Sequence, residues 1–217
     1  MLIPKTNKDR PNLLIVLGNP AIHSVVEGMF FSYEGVEGRR REHRFWRALR
    51  ECAVLNFKED MEKPIPENNE HKRSLLLNGE YEGDFNIFFL PYFSFPTPSS
   101  GACSGVTGIR KIVGKQIFEE MKEFEFQRFR DIILYNNIEN VLCFQKTDVL
   151  REIKKRTNCE QVNSILNNPD YPVYEIDIAS KRVTLYYAGP TRLLLSNKSK
   201  EILKNIVADI KVKNQIG

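Results

Sequence analysis

Five consecutive apolar residues, Leu13-Leu14-Ile15-Val16-Leu17, stop abruptly at Gly18-Asn19-Pro20. A short apolar run without polar alternation, closed by turn formers, predicts a strand buried on both faces. Such strands belong to sheets covered by helices on each side, which directs the chain to an α/β fold. The same run delivers the Asn19 amide at the strand's carboxyl end, the edge where open α/β sheets bind ligands. An aromatic stretch, Gly28-Met29-Phe30-Phe31-Ser32-Tyr33, and then His43-Arg44-Phe45-Trp46-Arg47-Ala48-Leu49 follow closely. An amide, aromatic faces and cations together suit a pocket for a flat polar ring beside a phosphate chain.

Further elements follow the same alternation. Glu42–Val54 is predicted as a helix, with Phe45, Leu49 and Cys52 or Ala53 on one face. The stretch 58–73 is polar, contains Pro64 and Pro66, and reads as a loop or insertion. Phe85–Leu90 and Val141–Phe144 read as strands. Residues 109–135 are expected to be mostly helical, and 147–156 as a helix with Thr147 at its N-cap. Val173–Ile178 and Arg182–Ala188 flank Ala179-Ser180-Lys181 as a hairpin, and Lys198–Ile210 forms a closing helix, with Ser196 or Asn197 as its cap.

The 217 residues suit one domain, 1–217, with an adequate core. The net charge of +4 permits nucleic-acid binding without demanding it. Its distribution says more: Arg39, Arg40, Arg41, Arg44 and Arg47 form a local basic cluster. No apolar run approaches the ~20 residues of a membrane span, so no membrane partner is expected. The first residues lack a signal-peptide core, and a cytoplasmic location is expected. Cys52, Cys103, Cys143 and Cys159 show no C-x-x-C spacing, so neither a zinc site nor an iron–sulfur cluster is expected, and no cofactor.

Several short motifs, in order, resemble the uracil-DNA glycosylase superfamily, especially its mismatch-specific uracil/thymine branch. They are Leu17-Gly18-Asn19-Pro20-Ala21, then Met29 to Tyr33, then His43 to Trp46. Val141-Leu142-Cys143-Phe144-Gln145-Lys146 is similar to the family's third strand and its turn, and Tyr187-Ala188-Gly189-Pro190-Thr191-Arg192 stands where the family carries its second motif. The resemblance implies a three-layer fold with a central, mostly parallel, four-stranded sheet. It also implies a monomeric, metal-free, monofunctional DNA glycosylase acting on deaminated bases, uracil first, within base excision repair.

On that resemblance Asn19 holds the attacking water and His43 supports catalysis at the base edge or a phosphate. Gly18 and Pro20 shape the base pocket, and Phe31 stacks on the flipped base; Phe30 or Tyr33 exchanges with it if the register slips by one. Thr191 offers a hydroxyl to phosphate, Arg192 or Leu193 wedges into the base stack, and Ser99 and Ser100 contact the DNA backbone. Two departures stand out: Ala21 replaces a family glycine, and Gly189 replaces an Asn or His. The second motivates a rival, a nucleic-acid-binding relative with altered catalysis. The other rival is an α/β enzyme acting on a small nucleotide.

Overall fold

The computed structural model describes residues 1–32, 34–36, 39–57, 62–162, 171–191, 194 and 196–215; for 34–36 and 39–41 it gives the backbone alone. Along these, the strands are β1 (Asn12–Leu17), β2 (Glu34–Val36), β3 (Arg39–Arg41), β4 (Asn86–Pro91), β5 (Asn140–Cys143), β6 (Asn158–Val162), β7 (Val173–Ile178) and β8 (Lys181–Tyr187). The helices are α1 (Ile22–Val26), α2 (Arg44–Glu51), α3 (Ile65–Asn78), α4 (Gly105–Val113), α5 (Lys115–Tyr135), α6 (Arg151–Arg156) and α7 (Asn197–Lys213).

Six strands form one mixed sheet in the order β4-β1-β5-β8-β7-β6. β1 pairs in parallel with β4 and β5, and β5 in parallel with β8; β7 runs antiparallel to both β8 and β6. The expectation of four strands is therefore corrected to six. The additions are β7 and β6, which continue from β8 as an antiparallel meander and need no crossover helix. β6, Asn-Cys-Glu-Gln-Val, has no fully buried residue. An edge strand of that composition carries no apolar run, which is why it escaped the pattern.

The parallel strands are apolar on both faces because helices cover both. Leu13, Ile15 and Leu17 pack with α2, α3 and α7 through Phe45, Trp46, Leu76, Leu203 and Ile206. Leu14 and Val16 face the opposite layer, with Ile109, Phe129, Ile133 and Ile153 of α4, α5 and α6. Cys52, not Ala53, completes the buried face of α2.

The stretch expected to be a loop at 58–73 becomes α3 from Ile65 onward. Its prolines start the helix rather than break it: Pro64 is the N-cap and Pro66 lies in the first turn, where a missing N–H costs nothing. The helical period was hidden because α3 buries Asn68, Asn69 and Lys72. These polar groups hold the aromatic segment. Ser32 Oγ donates to Asn69 Oδ1 at 3.0 Å, Asn69 Nδ2 to the Glu27 carbonyl at 3.1 Å, and Lys72 Nζ to the Ser32 carbonyl at 2.7 Å. The helical region at 109–135 is two helices broken at Gly114. The helix expected at 147–156 begins as a π turn over Lys146–Leu150, and Gln145, not Thr147, is its cap. No helix among the described residues is long and apolar enough to cross a membrane.

Candidate functional site

The four parallel strands end almost level, Leu17 opposite Pro91 and Cys143 opposite Tyr187. From β1 the sheet extends to β4 on one side and to β5 on the other. That reversal is a topological switch point, where loops leaving the carboxyl ends part and open a crevice. A cleft of about 620 Å³ lies at this edge, lined by residues 17–21, His23, Ser24, Phe30, Phe31, Pro91, residues 144–147, Tyr187, Pro190 and Thr191.

Asn19 is half-buried on the cleft wall. Its Nδ2 donates to Thr97 Oγ1 at 2.8 Å, to the Pro20 carbonyl at 3.2 Å and to the Phe95 carbonyl at 3.4 Å. Carbonyl oxygens only accept, so these partners fix which end of the amide is nitrogen. The nitrogen is committed to the protein, and the oxygen remains as the acceptor available to the cleft. Thr97 is itself buried, and its hydroxyl also accepts from the Gly105 N–H at 3.0 Å.

Phe31 lines the same cleft in a left-handed backbone conformation, φ +50°. For a bulky side chain this costs about 1–3 kcal/mol, and it persists only where neighbours enforce it. Here Trp46 Nε1 donates to the Phe31 carbonyl at 2.8 Å, and the Phe31 ring stacks on Phe45 at 4.2 Å between centroids. His43 lies behind this pair, with its ring 4.9 Å from Phe31. Its Nδ1 accepts from the Phe45 N–H at 3.1 Å, capping α2, and His43 is not among the residues lining the cleft.

Gly18 and Pro20 line the cleft as expected. A Cβ on Gly18 would sit 3.3 Å from Gln145 Cγ, so glycine lets the β5 turn close against β1. Gln145 Oε1 accepts from the Thr147 N–H at 3.1 Å, and Gln145 Nε2 donates to Asp148 at 3.4 Å. Burial holds the Asp148 carboxyl above the usual aspartate range.

Thr191 stands across the cleft on the loop after β8. That loop turns at Gly189, φ +84°, where a Cβ would lie 3.2 Å from the Tyr171 ring. Backbone geometry and the tyrosine thus account for a glycine at this position. Arg192, Leu193 and Tyr33, and the side chains of Arg39, Arg40 and Arg41, lie outside the described residues. Ser99 and Ser100 are exposed and do not line the cleft.

No protein-family model matches this chain, and neither does any curated protein.

Sequence reasoning gave Phe144, Gln145, Lys146, Tyr187 and His23 no role in the cleft, yet all five line it. The rule that singled out Asn19, a side chain just past a buried strand, applies equally to Phe144 and Gln145 after β5. Thr97 does not line the cleft; it supports the wall through the side-chain bond to Asn19 and backbone bonds with Pro20 and Ile22. Among the described residues no Asp or Glu lines the cleft. Among the described residues, no cluster of three or more His, Cys, Asp or Glu is gathered to hold a metal ion.

Proposed function

We propose that this chain is a monofunctional DNA glycosylase with a uracil-DNA glycosylase-like fold, hydrolysing the N-glycosidic bond of deaminated bases in DNA. The observation that carries this reading is the convergence of Asn19, Phe31 and Thr191, far apart in sequence, on one cleft at the sheet's carboxyl edge. The parallel strand order β4-β1-β5-β8 supports the fold assignment.

In this reading a nucleotide leaves the duplex and its base enters the cleft. The Phe31 ring offers it a stacking face, worth ~1–3 kcal/mol per base. The Asn19 amide oxygen accepts from a water and aims it at C1′. Because its nitrogen is anchored by Thr97, the oxygen needs no reorganisation during the reaction. The water oxygen bonds to C1′ as the C1′–N bond breaks. The electron pair stays on the base and the water's proton passes to solvent. Thr191 contributes a hydroxyl to a flanking phosphate. The protein acts as a monomer and leaves an abasic site.

The test is incubation with duplexes and single strands bearing uracil, thymine mismatches or hypoxanthine, followed by alkaline cleavage. Strand scission at uracil supports the reading; its absence on every lesion refutes it. The cleft's size favours one second reading, since about 620 Å³ also takes a whole small nucleotide. Hydrolysis of a free nucleotide, without salt-dependent DNA affinity, would select that alternative.

A further inference from the structure

We infer that a second cavity, separate from the cleft, binds a small organic anion, with Arg73 and Arg128 holding its oxyanion and an apolar wall holding a ring-sized body. The cavity measures about 320 Å³. It lies by the edge strand β4, on the side where Leu2 pairs with Phe89. Leu2, Val25 of α1, Met29 and Phe30 form its apolar side, Arg73 of α3 and Arg128 of α5 its charged one. It adjoins the cleft through Pro20, Ser24, Phe30 and Pro91, which line both, whereas Asn19, Phe31 and Thr191 do not line it. The site therefore stands whether or not the chain removes bases from DNA.

Each guanidinium is held on one side and keeps one nitrogen in reserve. Arg128 Nε donates to Glu125 Oε2 at 2.7 Å, and its Nη2 donates to the Pro91 and Tyr92 carbonyls at 2.6 and 2.7 Å. Glu125 is buried, and its other oxygen accepts from the Ser94 N–H at 2.6 Å and the Ser94 hydroxyl at 2.5 Å. Both carboxylate oxygens are thus engaged, and Arg128 is fixed in place. Arg73 Nη2 pairs with Glu70 on the same helix. Its Nη1 lies 4.0 Å from where a Cβ on Gly28 would stand, and Gly28 turns there with φ +67°. Among the described residues neither Nη1 makes a hydrogen bond, and no Asp or Glu lines the cavity. Guanidinium N–H groups only donate, and their fork matches the oxygens of a carboxylate or phosphate. Inorganic phosphate would satisfy that fork and leave the apolar side unused. A volume at the low end for small-molecule sites has room for one ring or a short chain beside it. The ligand class is therefore a carboxylate or phosphate monoester on a small apolar body.

The test is calorimetric titration of the full chain with phenyl phosphate and with benzoate. Benzyl alcohol and inorganic phosphate, each lacking half of the required chemistry, serve as controls. At least one of the two aryl anions should bind about tenfold more tightly than either control. Arg73→Met should weaken that binding about tenfold, and so should Val25→Asp, which sets a carboxylate on the rim. Arg73 and Val25 are both partly exposed, so the fold should survive either change, and circular dichroism checks that it does. Arg128 is left in place, because its removal would strand the buried Glu125. Aryl anions that bind no better than the controls, or an unchanged affinity in either variant, overturn the site. Displacement of the probe by excess uracil would place it in the cleft and also overturn the site. Displacement by undamaged duplex DNA would do the same, because Arg73 and Arg128 would then belong to a DNA-binding surface.

Discussion

Thr97→Val removes one hydroxyl while keeping nearly the same shape, and it tests how the cleft is held. The Thr97 side chain has one proton and two lone pairs, all engaged. It accepts from Asn19 Nδ2 at 2.8 Å and from the Gly105 N–H at 3.0 Å, and it donates to the Pro98 carbonyl at 3.3 Å. Valine leaves the Gly105 N–H, at the start of α4, without its acceptor. Gly105 is exposed, so water can take up that donor, and the cost is that of the three hydroxyl bonds lost, each worth about 0.5–1.5 kcal/mol net. Asn19 keeps only the longer bonds to Pro20 and Phe95. A loss of about 2 kcal/mol is expected. For a chain of this size that lowers Tm by about 4–8 °C. The loosened amide should also cost about tenfold or more in rate, since a misplacement of about 1 Å at a reacting centre costs up to ~10²-fold. Thermal unfolding by circular dichroism and single-turnover cleavage of uracil DNA read the two effects. Thr97→Ser, which keeps the hydroxyl, should preserve most of both. An unchanged Tm in Thr97→Val would refute the hydrogen-bonding argument. A lowered Tm with an unchanged rate would show that Thr97 secures α4 and not the Asn19 amide.

Asn19→Ala should lower the cleavage rate by ~10²-fold or more with a modest fall in Tm from the lost bonds to Thr97, Pro20 and Phe95, and an unaltered rate would remove Asn19 from the mechanism. Gly189→Ala combines a left-handed backbone with a Cβ 3.2 Å from the Tyr171 ring, so a destabilisation of about 1–3 kcal/mol is expected in urea unfolding. DNA affinity should fall steeply with salt if the arginines between Arg39 and Arg47 release counterions from phosphates; a flat dependence would leave them no role in binding. Thiol labelling at pH 8 should modify Cys103 first. Burial pushes the Cys143 thiol up to about 12 and that of Cys52 to about 11, so both stay protonated and protected until the chain unfolds.

The parts of the fold legible in the sequence were those governed by apolar patterning. β1, β4, β5, the β7–β8 hairpin and α7 each announce themselves by runs or periods of buried residues, and Ser196 caps α7 as its position suggested. The misses share one cause: burial of polar groups or exposure of a whole element. α3 buries two asparagines and a lysine, β6 buries nothing fully, and α1 has no buried residue at all. Asn19, Phe31, Gly18, Pro20 and Thr191, named from strand ends and motif order, all line the cleft. His43 was not separable from a helix cap, because an Nδ1 acceptor two residues before a helical N–H leaves the same sequence trace as a pocket ligand.

The cleft draws on segments from Leu17 at the end of the first strand to Thr191 beyond the last. During synthesis the amino-terminal half emerges with its aromatic loop and its Asn19 turn, yet the wall made by β5 and β8 does not exist. Pairing β1 with β5 closes a loop of more than a hundred residues, a slow and entropically costly step. Tyr187, Pro190 and Thr191 join the cleft only when β8 docks beside β5, so its last wall is set late in folding, by the strand that emerges last.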